Sequence, residues 1–310
     1  MGDRRISGTS AGAMNAVVMA DGLVEGGRKA HAKHWPAFGK PSAQLERRAP
    51  SNATRSMFHG QLELDNSPMY LAWDLTSRIV SPYQLNPMNY NPLRDLVEQQ
   101  INFERVRSCK QMDVFVAATN VRTGKIKVFE NEELTLDAIM ASSCLPHMYQ
   151  AVEIGDEAYW DGGFMGNPPL FPLFTSGGHT DVLLIQVNPV ERNELPHTAQ
   201  EISERLNEIT FNSTLLRELR AIDFVTRLIQ EGRLDSDRYT RVYMHRIEAT
   251  KDLLPFGSSS KLNPQWEFIE LLHDIGRQAA KKWATENYDS IGKRSTSTSA
   301  MNLTKRKCES

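Results

Sequence analysis

Two short segments of this chain carry residue types able to do chemistry together. Gly8-Thr9-Ser10-Ala11-Gly12 is a G-x-S-x-G pentapeptide running straight into Ala13-Met14-Asn15-Ala16-Val17-Val18-Met19-Ala20. The pattern predicts a serine on a sharp strand-to-helix turn, where flanking glycines remove Cβ atoms that would collide. A helix starting there aims its positive end, and the Ala11 N–H, at the place where an oxyanion would form. The second segment is Trp160-Asp161-Gly162-Gly163-Phe164-Met165-Gly166-Asn167-Pro168-Pro169. It reads as a tight turn leaving a strand, since Asp and Asn bond their own backbone and Gly accepts positive φ. Each segment alone is equally consistent with a structural turn. Paired, they offer a hydroxyl and a carboxylate, with Asp161 taking the proton of Ser10 in a two-residue nucleophile–base unit.

A Ser-His-Asp triad is the rival chemistry. In the order serine, acid, histidine it needs His179, His197, His245 or His273. His179 and His197 sit in polar turns, His245 in an alternating strand and His273 on a helix, so each reads as a surface or packing histidine. His147, just after Pro146 and close to the aspartate turn, is a candidate for the pocket wall. His31 and His34 imitate metal-ligand spacing, but no third ligand accompanies them and a solvated helix face is the better reading.

The two segments together resemble the patatin-like phospholipases, in which a G-x-S-x-G elbow carries the nucleophile and a D-G-[GA] turn the aspartate. Ala141-Ser142-Ser143-Cys144-Leu145-Pro146 is similar to the A-S-x-x-x-P segment that the family often places shortly before the aspartate. The resemblance runs from about Ile6 to Val187 and rests on three motifs in the family's order. It implies a three-layer α/β/α sandwich with a mostly parallel central sheet. It also implies a serine acyl hydrolase of the phospholipase A or lysophospholipase kind, cutting lipid esters through an acyl-enzyme, with Ser10 as nucleophile and Asp161 as base. Gly8, Ala11 and Gly12 then form the elbow and oxyanion backbone, and Gly162 and Gly163 the aspartate turn. No cofactor and no metal are implied. One departure stands out. The family's glycine-rich loop, G-G-G-x-[RK]-G, precedes the elbow and supplies most of its oxyanion hole, yet only residues 1–7 come before this elbow. Neither Gly26-Gly27 nor Gly177-Gly178 has that pattern. The first strand and its loop are therefore expected to be missing from the chain. The alternative reading follows: a catalytically impaired, lipid- or partner-binding remnant.

Composition sets the frame. The chain has 310 residues, a formal net charge of −2 and 40% hydrophobic residues, the profile of a globular domain with no basic surplus for nucleic acid. The partners implied are a lipid or ester substrate and a peripheral contact with a membrane. Cys109, Cys144 and Cys308 show neither paired spacing nor a Cys/His cluster, which points to reduced thiols and a cytoplasmic setting, peripheral to a membrane where the substrate requires it. Cys144 is expected in the core or near the site. No apolar run approaches the roughly 18 residues of a transmembrane helix.

The elements that must position the two segments follow from periodicity. Residues 113–119 form a near-continuous apolar run, predicting a strand buried on both faces, and 125–129 alternate as its hairpin partner. Helices are predicted at 69–80, 93–100, 134–143, 198–231 and 266–287. A hairpin of 149–154 and 158–160 delivers Asp161, and strands are expected at 181–187 and 239–247. Residues 1–289 are expected to form the acyl hydrolase domain. Within it, 23–92 is an irregular or lid-like insertion punctuated by prolines, with Met69, Tyr70, Trp73, Tyr83, Met88 and Tyr90 covering the sheet or lining an acyl groove. Residues 290–310, rich in Ser, Thr, Lys and Arg, are expected to be a disordered tail.

Overall fold

The computed structural model describes residues 4–27, 79–174, 179–256, 260, 263 and 265–297. It divides into two compact units, Met1–Pro169 with Phe256–Leu271, and Leu170–Pro255 with Leu272–Ser310.

The first unit is built on a five-stranded sheet whose ruler is β2 (Asp113–Asn120). Its sequence, DVFVAATN, is buried at every position after Asp113, as expected for a strand covered on both faces. β1 (Arg5–Gly8) runs parallel to it, from Arg5 opposite Asp113 to Gly8 opposite Val116. β3 (Ile126–Phe129) pairs antiparallel, from Val116 opposite Phe129 to Thr119 opposite Ile126. The hairpin of β4 (Val152–Ile154) and β5 (Glu157–Asp161) brings β5 antiparallel to β2, with Ala118 opposite Asp161. Val116 pairs with both β1 and β3, and Ala118 with both β3 and β5. A strand has only two edges, so β1 and β5 share one edge of β2 and meet end to end.

Helix α1 (11–27) follows β1 and buries Ala13, Ala16, Val17 and Ala20, an i, i+3, i+4, i+7 stripe of small side chains. On that helix Asp21 is only 1% exposed. It accepts from Arg105 Nη2 at 3.0 Å and Nε at 2.5 Å, tying α1 to the segment around residue 105. Helix α2 (Pro92–Gln100) starts on Asn91, whose side chain accepts from Leu93 N–H, with Pro92 at the first helical position where its missing N–H costs nothing. Helix α3 (Phe103–Arg107), capped by Asn102, carries Arg105. Helix α4 (Leu136–Ser142), capped by Thr135, buries residues 138–142 against the sheet. Val17, Val114, Val116, Leu134 and Ile139 share this core.

In the second unit β6 (His179–Gln186) and β7 (Arg241–Glu248) pair in parallel over their full length. Parallel strands need a long crossover, and α5 (Ala199–Gln230) supplies it, opened by a reciprocal Thr198/Glu201 cap. Val182, Leu184, Val242 and Met244 pack on Leu215, Leu219 and Ile222. Helix α6 (Trp266–Asn287) has the bounds its periodicity predicts. His245 is buried in this unit, with Nε2 2.9 Å from Asp181 Oδ1, Nδ1 3.0 Å from Thr296 Oγ1, and its ring edge-on to Trp283.

The expected α/β class is the one observed, with the sheet of the first unit mixed: only β1 is parallel to β2, and β3, β4 and β5 pair antiparallel. The expected tail needs a correction over 290–297. Thr296 and Ser297 N–H donate to Met244 O at 3.0 and 3.1 Å, and Met244 N–H donates to Ser295 Oγ at 3.1 Å. Hydroxyl-rich composition reads as a solvated tail, but here its backbone N–H groups and the Ser295 and Thr296 hydroxyls bond to β7. The stretch 23–92, expected to be irregular, needs a correction at its described ends: residues 23–27 continue α1, Pro82–Leu85 forms one helical turn, and α2 begins at Pro92. Residues 28–78, with His31, His34, Met69, Tyr70 and Trp73, and residues 298–310, with Cys308, lie outside the described residues. No helix among the described residues is long and apolar enough to cross a membrane.

Replacing Asp21 removes charge-assisted bonds worth about 1.5–3 kcal/mol. Asp21→Ala is expected to lower the urea midpoint with an unchanged m-value. A midpoint equal to wild type would show that the Asp21–Arg105 pair does not fasten α1.

Candidate active site

The chain leaves β1 at Gly8, turns through Thr9 and Ser10, and enters α1. Ser10 sits at φ 55°, a left-handed conformation that costs a side-chain-bearing residue about 1–3 kcal/mol unless its surroundings hold it there. They do. Gly12 N–H donates to Thr9 O at 2.9 Å and Met14 N–H to Ser10 O at 3.1 Å. Ser10 N–H donates to the Ser142 hydroxyl at 2.9 Å. Thr9 Oγ1 donates to Gly166 O at 2.7 Å and Ser7 Oγ to Pro169 O at 2.6 Å, so elbow and aspartate turn are laced together.

The two flanking glycines differ. A Cβ on Gly8 would stand 2.5 Å from the Gly12 carbonyl, so the fold-back of α1 demands glycine there. A Cβ on Gly12 would meet nothing within 4 Å. Among the described residues, packing demands the first glycine but not the second.

Asp161 ends β5 and is 2% exposed. Its own N–H donates to Cys144 O at 2.8 Å, and its carbonyl accepts from Thr119 Oγ1 at 2.8 Å. The carboxylate caps the short helical turn Gly162–Phe164, accepting from Gly163 N–H at 2.7 Å. A side chain at Gly162 would collide with the Ala117 carbonyl, so the turn can press against β2 only with glycine. Burial pushes the Asp161 carboxyl above its ordinary 3.8, while the Gly163 N–H and a hydrogen bond from the Ser10 side chain pull it back.

Geometry explains the meeting. Gly8 and Asp161 lie opposite Val116 and Ala118, two positions apart on one edge of β2, or about 7 Å at the usual rise per residue. The elbow adds two residues beyond Gly8 and closes that gap. The arrangement joins a half-buried hydroxyl, a dry carboxylate and the N-terminus of a helix, where Ala11 stands exposed as the first helical residue. Such first-turn N–H groups lack intrahelical acceptors. This combination can activate an oxygen nucleophile and receive negative charge beside it.

The remaining candidates fall elsewhere. His147 is exposed and does not line the small open pocket beside Cys144, whose walls include Asn91, Arg94, Tyr149 and Gln150. His245 is committed to Asp181 and Thr296 in the second unit. His179 stacks near Tyr243 and His273 lies beside Asp274. Among the described residues no cluster of three His, Cys, Asp or Glu could hold a metal. Cys144, expected in the core or near the site, is buried, donates Sγ to Gln150 O at 3.1 Å and lies close enough to Asp161 to feel its charge. Sequence reasoning gave no role to Ser142, Thr9 or Thr119. For Ser142 a signal existed: a serine inside an otherwise apolar stretch of helix, where a buried hydroxyl must find a partner.

The chain belongs to the patatin-like phospholipase family, whose sequence model matches residues 4–174. That match spans the elbow, the Ser142 segment and the aspartate turn, and places the chain in a family of lipid hydrolases. No curated protein matches the chain.

A carboxyl whose pKa is raised by folding binds its proton more tightly in the folded state. Its favourable contribution is full at low pH and is lost as pH rises through the folded pKa. Asp161→Asn, which keeps an acceptor for Gly163 N–H, is therefore expected to raise Tm at pH 7, with the gain fading as pH falls toward 3.8. Thermal unfolding of both proteins across this range checks it; a pH-independent difference would contradict the burial argument.

Proposed function

We propose that this chain is a serine acyl hydrolase of lipid esters, of the phospholipase A or lysophospholipase kind, working through a Ser10–Asp161 dyad. One observation carries the reading: a serine in a left-handed turn at a helix N-terminus, its side chain hydrogen-bonded to a buried, helix-capping aspartate. Family membership supplies the substrate class. Contact with a lipid surface follows from the substrate and is part of the same proposal.

In the proposed reaction Asp161 takes the proton of Ser10 Oγ as that oxygen attacks the ester carbonyl carbon. The carbonyl oxygen becomes an oxyanion, received by the Ala11 N–H and the positive end of α1. Collapse of the intermediate breaks the ester bond, and the leaving alcohol departs with the proton held by Asp161. Water then attacks the acyl-serine, Asp161 again accepting the proton, and the fatty acid and free Ser10 are released. The raised pKa of Asp161 suits this work, because a carboxylate near 3.8 is a feeble base toward serine.

Ser10→Ala and Asp161→Asn are each expected to cut hydrolysis of a short p-nitrophenyl ester by at least about 10³-fold, with circular dichroism unchanged. Wild-type kcat/KM should fall on the acid side with an apparent pKa above 3.8. Wild-type rates in both folded variants would refute the dyad. A folded wild-type protein whose Ser10 takes no label from an alkyl fluorophosphonate would favour a lipid-binding remnant instead.

A further inference from the structure

The two members of the dyad come from distant parts of the first unit's sequence, yet each is gripped by a residue of one short segment, Ser142 for Ser10 and Cys144 for Asp161. Ser142 Oγ accepts the Ser10 N–H at 2.9 Å, and Cys144 O accepts the Asp161 N–H at 2.8 Å. Ser142 is wholly buried at the C-terminal end of α4, and Cys144 is 2% exposed. The anchor itself is rigid. Residues 138–142 are buried, and Ser143, between the two gripping residues, turns its own hydroxyl back to Ile139 O at 3.1 Å.

From this we infer that Ser142 is a positioning residue. Its hydroxyl fixes the Ser10 backbone in the left-handed conformation, and so sets where Oγ stands relative to a carboxylate held two residues further along the same segment. The inference rests on the dyad reading. Its physical basis is the Ser10 N–H, which takes its acceptor from outside the elbow. Thr9 O and Ser10 O serve the first turn of α1 as acceptors, but the Ser10 N–H points away from that helix to α4. Without the Ser142 oxygen this N–H loses its acceptor in a part-buried place. Rotation of the peptide is then the available response, and rotation of that peptide moves Ser10. Small displacements of a reacting atom cost disproportionately in rate, about 10²-fold for 1 Å. Substrate contacts are untouched, so the loss falls on kcat and leaves KM.

The test uses four variants of the full chain: Ser142→Ala, Ser142→Thr, Ser143→Ala and Ser10→Ala. The readouts are kcat and KM on a p-nitrophenyl ester, the rate of fluorophosphonate labelling at Ser10, and Tm. Expected is a loss of about 10–100-fold in kcat and in labelling rate for Ser142→Ala at near-constant KM. Ser142→Thr, which keeps the hydroxyl, should recover most of it. Ser143→Ala, which loses a hydroxyl on the same turn without touching the elbow, should keep wild-type kcat whatever happens to its Tm. Wild-type kcat and labelling in Ser142→Ala, with Ser10→Ala inactive, overturn the inference and leave the dyad standing. Equal losses in Ser142→Ala and Ser143→Ala also overturn it, since they mean damage to α4 alone. Should Ser142→Ala not fold, Ser142→Thr decides: recovery of both rates supports the role, and a folded Ser142→Thr with the full loss removes it. Full activity in Ser10→Ala defeats the dyad, and the inference with it.

Discussion

Everything at the site depends on two strands sharing one edge of a third. β1 comes up that edge of β2 and stops at Val116; β5 comes down it and stops at Ala118. Between them lies Ala117, whose carbonyl leaves no room for a side chain at Gly162. The consequence is a gap narrow enough for a turn from each side to face the other, and the two turns are those of Ser10 and Asp161. Neither strand makes the gap alone. β1 without β5 would deliver a serine turn to an empty edge, and β5 without β1 would leave a buried carboxylate with no serine turn facing it.

That constraint also explains the local chemistry around the pair. A turn held at positive φ by a serine, and a carboxylate held almost out of reach of water, both cost stability. The surrounding bonds offset the cost: Thr9 to Gly166, Ser7 to Pro169, Thr119 to the Asp161 carbonyl, and the Gly163 N–H on the carboxylate. The four donors are three hydroxyls and one glycine N–H, small groups that fit where longer polar side chains would not. Asp21 extends the same logic to the far part of α1, where Arg105 answers its buried charge.

Much of this could be read from residues alone, for identifiable reasons. The run 113–119 is apolar because β2 is covered on both faces, and the 266–287 periodicity gives the bounds of α6 without a tertiary contact being known. The elbow was legible through its glycines, although among the described residues only Gly8 of the two meets a steric demand. Other features had no local signature. The antiparallel course of β5 is set by pairing with a strand some forty positions away. Helix α3 spans only Phe103–Arg107, too short for a periodic stripe. Residues 290–297 look like a solvated tail in composition, and only their bonds to Met244 and His245 show otherwise. Ser142 was visible as part of a motif, but the identity of its partner, 132 positions earlier, belongs to the fold.

The thiol of Cys144 has a consequence of its own. Burial, reinforced by the Asp161 charge, drives it up to about 11, so at neutral pH the ionised form is about one part in 10⁴. A thiolate there would set a second anion beside the carboxylate and lift its affinity for protons further. Kept neutral, the sulfur gives bulk without charge. Alkylating and oxidising reagents act on thiolates, so they should pass Cys144 by, and beside the proposed Ser10–Asp161 dyad this sulfur does not compete as a nucleophile.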